Sequence, residues 1–253
     1  MEIYFDQEAI RFDEVYDRYR KDEFYSPFRS TIPLLDLIKN GKEMLRELIH
    51  ELGVKEEHTY HLEYRVKPSA VRGTPSHTDL LVQGKDHVLG IEAKWTEKRY
   101  ERVERWVKKG KNPNNRKVVL QGWVNIFKEF LNNPLSIEGM NNQVYQMVHR
   151  AASVCSCTTN PILAYMQFTE ALQLKKDSYI YQDLSSLWSV LGHPESFPFY
   201  FVQVLIEPNQ AFREIEHLEK RSAETGRKVT EALRGYEPLF TYKGKEIVKI
   251  REA

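Results

Sequence analysis

The chain has 253 residues, of which 41% are hydrophobic and 29% are charged, and its formal net charge is +1. This balance excludes a disordered chain and is typical of a globular protein that buries a substantial core. No run approaches the roughly 20 apolar residues of a membrane span, and the acidic start at Glu2, Asp6 and Glu8 lacks the apolar region of a secretory signal. We therefore expect a cytoplasmic protein, a single domain over residues 1–253, with no membrane contact.

The two cysteines, Cys155 and Cys157, are too close in sequence for an ordinary scaffold disulfide. Two cysteines alone also do not form a metal site. We expect reduced thiols, with a redox role as the less favoured alternative.

Hydrophobic periodicity predicts the elements of the first half of the chain. The spacing of Phe5, Phe12, Tyr16 and Tyr19 predicts a helix packed on the main body. An amphipathic helix follows from Pro33 to about residue 52. The next predicted elements are a strand over 58–66, a hairpin of two strands over 76–83 and 87–96, helices over 97–107, 117–131 and 141–154, and a strand over 162–168.

Four more elements are predicted beyond residue 170. They are a helix over 183–191, a strongly apolar strand over 199–206, a charged surface helix over 209–234 and a strand over 240–250 with a turn at 243–245.

The hairpin carries three residues that suit catalysis. Side chains alternate along a strand, so Glu92 and Lys94 share one face while Ile91 and Ala93 point into the core. Asp79 lies in the partner strand, where it can approach Glu92 across the sheet. Burying two acids and a lysine is costly unless they pair with each other or hold a metal ion.

Asp79 and Glu92 together form an oxygen-donor site suited to Mg²⁺, with the carbonyl of Ala93 as a third ligand. A bound Mg²⁺ lowers the pKa of a coordinated water and stabilises charge on a phosphorane-like transition state. Lys94 would orient that water, help to deprotonate it or offset phosphate charge.

Asp79 followed by Glu92-Ala93-Lys94 resembles the signature of the PD-(D/E)XK, or restriction-endonuclease-like, nuclease superfamily. Thr78 replaces the usual proline before the aspartate. The resemblance implies an α/β fold with an αβββαβ core and a mixed central sheet. The order of predicted elements assigns that core to residues 33–170, inserted helices after the third strand to 97–139 and a C-terminal extension to 171–253.

The resemblance also implies the activity. Members of the superfamily cleave DNA, less often RNA, with a divalent metal. We therefore predict a Mg²⁺-dependent phosphodiesterase, an endodeoxyribonuclease of restriction, defence or repair, in which Mn²⁺ can substitute. Many members act as dimers, so a homodimer is compatible with this interpretation.

The segment from Lys94 to Lys117 contains ten basic and three acidic residues, a local charge of +7. A basic segment directly after the metal-site strand is suited to gripping a phosphate backbone. A solvated helix is the simpler alternative, because Glu101 and Arg105 are spaced for an ion pair. The expected nucleic-acid ligands are Lys98, Arg99, Arg102, Arg105 and, from the later helix, Arg150.

Some related nucleases carry a Gln-x-x-x-Tyr pattern on the helix after the Glu-x-Lys strand. That pattern is absent here. Gln143 and Arg150 border the apolar stripe of the predicted helix, so Gln143 is a candidate catalytic residue and Arg150 a candidate for holding the scissile phosphate. The alternative is a surface glutamine and a surface arginine.

Superfamily members often add an acid from the first core helix. Glu43, Glu47 and Glu51 are candidates, and a solvated helix face explains any one of them equally well. His77 shares the strand face of Asp79 and would touch the site, unless it is a strand-end histidine with a local hydrogen bond.

Two alternatives remain open. The Asp, Glu and Lys triplet alone can arise by chance, as an aspartate in a turn and an exposed Glu–Lys pair on an amphipathic strand. A second alternative is a catalytically silent nucleic-acid-binding module of the same fold.

Overall fold

An eight-stranded mixed sheet forms the centre of the protein, in a computed structural model that describes residues 2–68, 73–131 and 135–251. The strands are β1 (Ile3–Phe5), β2 (Glu8–Ile10), β3 (His58–Val66), β4 (Ser76–Gly84), β5 (Val88–Lys94), β6 (Pro161–Thr169), β7 (Phe199–Pro208) and β8 (Phe240–Lys249). Their spatial order is β2-β1-β3-β4-β5-β6-β7-β8.

Nine α-helices lie among the described residues. They are α1 (Val15–Arg18), α2 (Thr31–Asn40), α3 (Lys42–Glu51), α4 (Val103–Lys108), α5 (Pro113–Phe127), α6 (Tyr145–Cys155), α7 (Tyr179–Val190), α8 (Gln210–Arg213) and α9 (Ala223–Arg234). Each of these helices is too short or too polar to cross a lipid bilayer.

The pairing directions position the hairpin in the middle of the sheet. β3, β4 and β5 are successively antiparallel, whereas β6 lies parallel to β5 and β7 lies parallel to β6. β8 is antiparallel to β7 and forms one edge of the sheet. β5 therefore has a paired strand on each side and is buried along its whole length.

Two hydrophobic clusters cover the two faces of the sheet. One face packs against α2, α3, α8 and α9, with Leu80, Val82, Leu89 and Ile91 as its central strand residues. The other face packs against α4 to α7 and includes Leu81, Leu163 and Tyr165. The expected α/β class is confirmed, as are the strands predicted at 58–66, 76–83, 162–168 and 199–206.

Four predictions for the helices and the N-terminal segment were wrong or incomplete. The N-terminal helix is instead the β1–β2 hairpin followed by the single turn α1, because β1 pairs with the distant strand β3. The first amphipathic helix is broken at Gly41 into α2 and α3. The basic helix begins only at Val103. The segment 209–234 contains two helices, and α9 buries Val229 and Leu233.

The turn expected at 243–245 is also wrong. β8 runs through these residues without interruption, and its irregularity is a register shift against β7 between Leu205 and Ile206.

Candidate active site at the end of the β4–β5 ladder

Asp79 lies where β4 and β5 part. The paired positions run from Gln83 and Val88 to Leu80 and Ile91, and Asp79 is the next residue of β4. Its Oδ2 accepts a hydrogen bond of 2.8 Å from the main-chain N–H of Ala93. The carboxylate thus satisfies a strand donor that the ladder leaves unpaired, and this bond holds Asp79 against the Glu92-Ala93-Lys94 segment.

Glu92 and Lys94 share one face of β5, as the alternation predicted. They are only 1% and 7% exposed, and Lys94 Nζ donates to Glu92 Oε1 at 2.7 Å. Ile91 and Ala93 pack into the cluster on the opposite face. The alternative of an exposed Glu–Lys pair therefore does not apply, because both faces of β5 are covered.

Helix α6 supplies two further partners of Glu92. Gln146 Nε2 donates to Oε1 at 2.8 Å, and Arg150 Nε donates to Oε2 at 2.5 Å. Residues four apart lie on the same side of a helix, so Gln146 and Arg150 reach the same carboxylate. Three donors from two elements hold Glu92.

Gln146 occupies the position that the sequence analysis gave to Gln143. Gln143 is buried but lies before α6, and its side chain makes no hydrogen bond to Glu92 in the part of the chain that the structure describes. The four-residue spacing of Gln146 and Arg150 is the sequence signal that identifies this pair. Arg150, the candidate for holding the scissile phosphate, donates to Glu92.

Arg150 also connects the site to a polar chain. Its Nη1 donates to Ser76 Oγ at 2.8 Å, and Ser76 Oγ lies 2.8 Å from Nδ1 of His149. Since arginine can only donate, the single hydroxyl proton of Ser76 is left for His149 Nδ1, which then accepts. His149 is held in the tautomer that is protonated at Nε2.

The pKa values of the two acids, Asp79 and Glu92, are shifted in opposite directions. Burial, then the charge of Glu92, raises the pKa of Asp79 well above its usual range. Burial also acts to raise the pKa of Glu92, but Arg150 and Lys94 outweigh it and the net shift is downward. Glu92 is therefore the ionised partner, and Asp79 is the carboxylate without a cation of its own.

Lys94 and Arg150 remain charged for the same reason. Burial acts to lower both pKa values, but the nearby carboxylates Glu92 and Asp79 outweigh burial and the net shifts are upward. Two cations thus balance two acids when all four groups are ionised.

The oxygen atoms of Asp79, Glu92 and the Ala93 carbonyl are of the type that Mg²⁺ prefers as ligands. Asp79 Oδ1 makes no hydrogen bond to any described residue, and a divalent cation there would favour the ionised form of Asp79, whose pKa is raised by burial. Within the described ranges, however, no group of three or more His, Cys, Asp or Glu side chains is arranged to hold a metal. The fit is therefore limited to Asp79, Glu92 and the Ala93 carbonyl, with water or substrate completing the shell, as Mg²⁺ commonly requires.

The glutamates of the first core helix lie elsewhere. Glu47 and Glu51 both pair with Lys245 of β8, at 3.0 and 3.2 Å, and Glu43 pairs with Arg46. None of them is bonded to the site residues of the described chain.

Glu63, which the sequence analysis did not single out, is the acid near Asp79. Its charge is among the causes that raise the pKa of Asp79, and its neighbours Leu62 and Tyr64 pair with Leu80 and Thr78, the neighbours of Asp79. Glu63 has a φ of 52°, a left-handed conformation that is uncommon away from glycine and clusters at functional sites. His77 contacts Glu63, with Nδ1 3.3 Å from Oε2.

The expected basic ligands are on the surface. Lys98, Arg99, Arg102 and Arg105 are all exposed. Arg99 forms an ion pair with Asp183, and Arg105 lies 3.9 Å from Glu101. The Glu101–Arg105 ion pair expected from the spacing is thus present, although Glu101 precedes α4, and the local excess of positive charge remains.

Cys155 and Cys157 are both free thiols. Burial raises the pKa of each, which suppresses the thiolate that redox chemistry requires.

Comparison with known proteins gives one match. Residues 11–199 match a family model described as a domain of unknown function, DUF6946. The chain matches no curated protein and no solved structure. The matched range contains Asp79, Glu92, Lys94, Gln146 and Arg150.

Proposed function

The chain belongs to the DUF6946 family of domains of unknown function, and we propose that it is a metal-dependent nuclease of the PD-(D/E)XK type. The element order supports this proposal. α2 and α3 precede the antiparallel strands β3, β4 and β5, and α6 then leads to β6, which lies parallel to β5. With α4 and α5 as an insertion after β5, this order supports the αβββαβ core of a restriction-endonuclease-like protein, to which β1, β2, β7 and β8 would add strands.

One observation carries the proposal. The hydrogen bond from Ala93 N–H to Asp79 Oδ2 joins the two halves of the signature, Asp79 and Glu92-Ala93-Lys94. Residues 14 positions apart thereby converge on one buried, charged site, which an unrelated chance match gives no reason to expect.

The side chains divide the work. A Mg²⁺ ion held by Asp79, Glu92 and the Ala93 carbonyl would supply charge stabilisation to a phosphodiester transition state. Lys94 orients the attacking water, and Gln146 and Arg150 hold the Glu92 carboxylate in one orientation. The exposed Lys98, Arg102 and Arg105 provide sequence-independent contacts to the phosphate backbone, with DNA as the favoured substrate.

Cleavage assays test the proposal. Single- and double-stranded DNA and RNA are incubated with Mg²⁺ or Mn²⁺ and the wild type, Asp79→Asn or Lys94→Met. We expect cleavage by the wild type alone. The matched control is Asp36→Asn, which alters a buried acid bonded to Leu239 and Tyr242 on the opposite face and should retain activity per folded molecule. Equal activity in wild type, Asp79→Asn and Lys94→Met would refute the assignment.

The bonds of Glu92 favour a second candidate, a catalytically silent nucleic-acid-binding module. Lys94, Gln146 and Arg150 already satisfy Glu92 without a metal. Titration calorimetry separates the candidates. Mn²⁺ uptake that is lost in Asp79→Asn supports the nuclease, whereas salt-sensitive DNA binding with no Mn²⁺ uptake supports the silent module.

A further inference from the structure

Strand β6 presents polar side chains beside the Glu92–Lys94 pair. In the parallel pairing of β5 and β6, Glu92 lies next to Tyr165 and Lys94 lies next to Gln167. Because side chains alternate along each strand, Tyr165 and Gln167 share one face of the sheet. Tyr165 packs in the cluster formed by α4 to α7, which is the face that carries Gln146 and Arg150.

Both β6 side chains have an unsatisfied polar atom. The Tyr165 side chain is 1% exposed, and its hydroxyl is buried with no hydrogen-bond partner among the described residues, as is Oε1 of Gln167. The buried hydroxyls of Tyr16 and Tyr242, far from the site, do find partners in Leu233 O and Asp36 Oδ2. Buried polar atoms without partners are costly, and each calls for an explanation.

The Tyr165 hydroxyl can act only as a neutral group. Burial, followed by the charge of Glu92, raises its pKa well above the usual value. The ammonium of Lys94 lies 6.0 Å from the centroid of the Tyr165 ring and 5.2 Å from that of the Tyr100 ring. A neutral hydroxyl and an ammonium are thus carried by neighbouring side chains.

A small cavity lies beside Lys94 and Tyr165. Its lining includes the buried Lys94, Gln146 and Tyr165 and the exposed Lys98, Arg99 and Tyr100, and its volume is about 10 Å³. This is close to the minimum space for one water molecule. Lys94, Gln146 and Tyr165 are buried lining residues that carry polar groups, which a held water needs.

We propose that Tyr165 is a further catalytic residue of the nuclease, whose hydroxyl, together with Lys94, holds the attacking water in this cavity. This inference rests on the proposed nuclease function. The water accepts a hydrogen bond from a Lys94 N–H and donates one of its own O–H groups to the Tyr165 hydroxyl oxygen, so its second lone pair is free to face the phosphorus atom. In the hydrolysis, a bond forms between the water oxygen and phosphorus and the ester P–O bond breaks. The water proton reaches the leaving oxygen through solvent, so Tyr165 transfers no proton.

The cavity's exposed residues identify the side from which the substrate arrives. Lys98 and Arg99 attract the phosphate backbone, and Tyr100, which is 48% exposed, offers a ring face to a base. The scissile phosphate would approach Lys94 between the segment after β5 and helix α7, which contributes Asp183 as the partner of Arg99.

The test is Tyr165→Phe, which keeps the buried ring and removes only the hydroxyl. We expect a kcat lower by about 100-fold, the lower end of the range for one acid–base or electrostatic group, with an unchanged KM. We also expect an unchanged or higher Tm, because the variant loses a hydroxyl that has no partner. The matched control is Tyr16→Phe, which loses the 3.1 Å bond to Leu233 O and should show a lower Tm with wild-type kcat.

The outcomes separate this inference from the function on which it rests. If the wild type cleaves neither DNA nor RNA, the nuclease proposal fails and the role of Tyr165 fails with it. If the wild type cleaves and Tyr165→Phe has the same kcat, only the role of Tyr165 is overturned. A loss of kcat accompanied by a fall in Tm as large as that of Tyr16→Phe would identify a structural hydroxyl and would also overturn the inference.

Discussion

Arg150 Nε lies 2.5 Å from Glu92 Oε2, and this ion pair joins helix α6 to the central strand β5. The two side chains are 11% and 2% exposed, so neither charge can turn to solvent if the other is removed. The pair therefore links the stability of the sheet to the orientation of the candidate catalytic carboxylate.

Replacing Arg150 by methionine should destabilise the protein strongly. Glu92 would keep Lys94 and Gln146 but lose its second cation, and removing one partner of a buried ion pair costs about 3–5 kcal/mol. Urea unfolding measures the difference. The control is Arg227→Met, which breaks an exposed pair with Glu231 and should change the free energy of unfolding by about 1 kcal/mol or less. A similar decrease in the free energy of unfolding in the two variants would show that the buried Arg150–Glu92 pair contributes no more than an exposed pair.

Replacing Asp79 by asparagine should leave the stability unchanged or higher at pH 7. The pKa of Asp79 is raised on folding, so ionising this carboxylate disfavours the folded state above the unfolded pKa. Asparagine removes the charge and keeps a carbonyl acceptor for Ala93 N–H. Asp79→Ala also leaves that N–H unpaired, which costs about 1–3 kcal/mol.

Thermal unfolding distinguishes these two variants, since 1 kcal/mol shifts the Tm by about 2–4 °C in a chain of this size. A Tm of Asp79→Asn as low as that of Asp79→Ala would show that the charge itself stabilises the fold.

Gly90 leaves room for Val154 of α6. A Cβ at Gly90 would lie 2.2 Å from Val154 Cγ2, so Gly90→Ala should overpack the contact and cost about 1–3 kcal/mol. Adding Val154→Ala should restore part of that loss, because the clashing methyl is removed. The double-mutant cycle is measured by chemical denaturation. Additive losses would show that α6 moves away from β5 instead.

His149 should make the protein less stable in mild acid. Burial, followed by the charges of Arg150, Lys94 and His77, keeps its pKa well below 6.5 in the folded state. Near pH 6.5 the histidine of the unfolded chain binds a proton, whereas the histidine of the folded chain does not. The free energy of unfolding should therefore decrease as the pH is lowered below about 6.5, and it should level off above that pH.

A comparison with His149→Gln isolates this effect. Between pH 7.5 and 5, the wild type should lose more free energy of unfolding than the variant, at a rate of at most about 1.4 kcal/mol per pH unit. Parallel pH profiles of the two proteins would show that His149 protonates freely in the fold.

The strands whose burial shows in their own sequence pattern could be predicted, whereas a pairing between distant segments could not. Alternation identified β3 and placed Glu92 and Lys94 on one face of β5, and short apolar runs identified the hairpin strands β4 and β5. The pairing of β1 with β3 joins Ile3 to Tyr60, and no local pattern encodes a contact at that separation. Aromatic spacing in the N-terminal segment was therefore mistaken for a helix.

The choice of Gln143 over Gln146 has a similar cause. Gln143 O accepts from Val103 N–H, and Tyr145 N–H donates to Glu101 O. These bonds flank an antiparallel bridge between Arg102 and an extended Val144, which holds the turn over 141–144 against the start of α4, so the helix begins later than its apolar stripe suggests. The shift rotates Gln146 and Arg150, rather than Gln143, towards Glu92.

Three lysines on β8 bear on how the molecule behaves when it is concentrated. β8 is the outermost strand and carries Lys243, Lys245 and Lys249, of which Lys243 pairs with Glu207 and Lys245 with Glu47 and Glu51. A second copy that added its own strand here would have to bring like charges together and break these pairs. These lysines therefore oppose edge-to-edge pairing of β8 between molecules. Exchanging them for threonine should make the protein precipitate more readily.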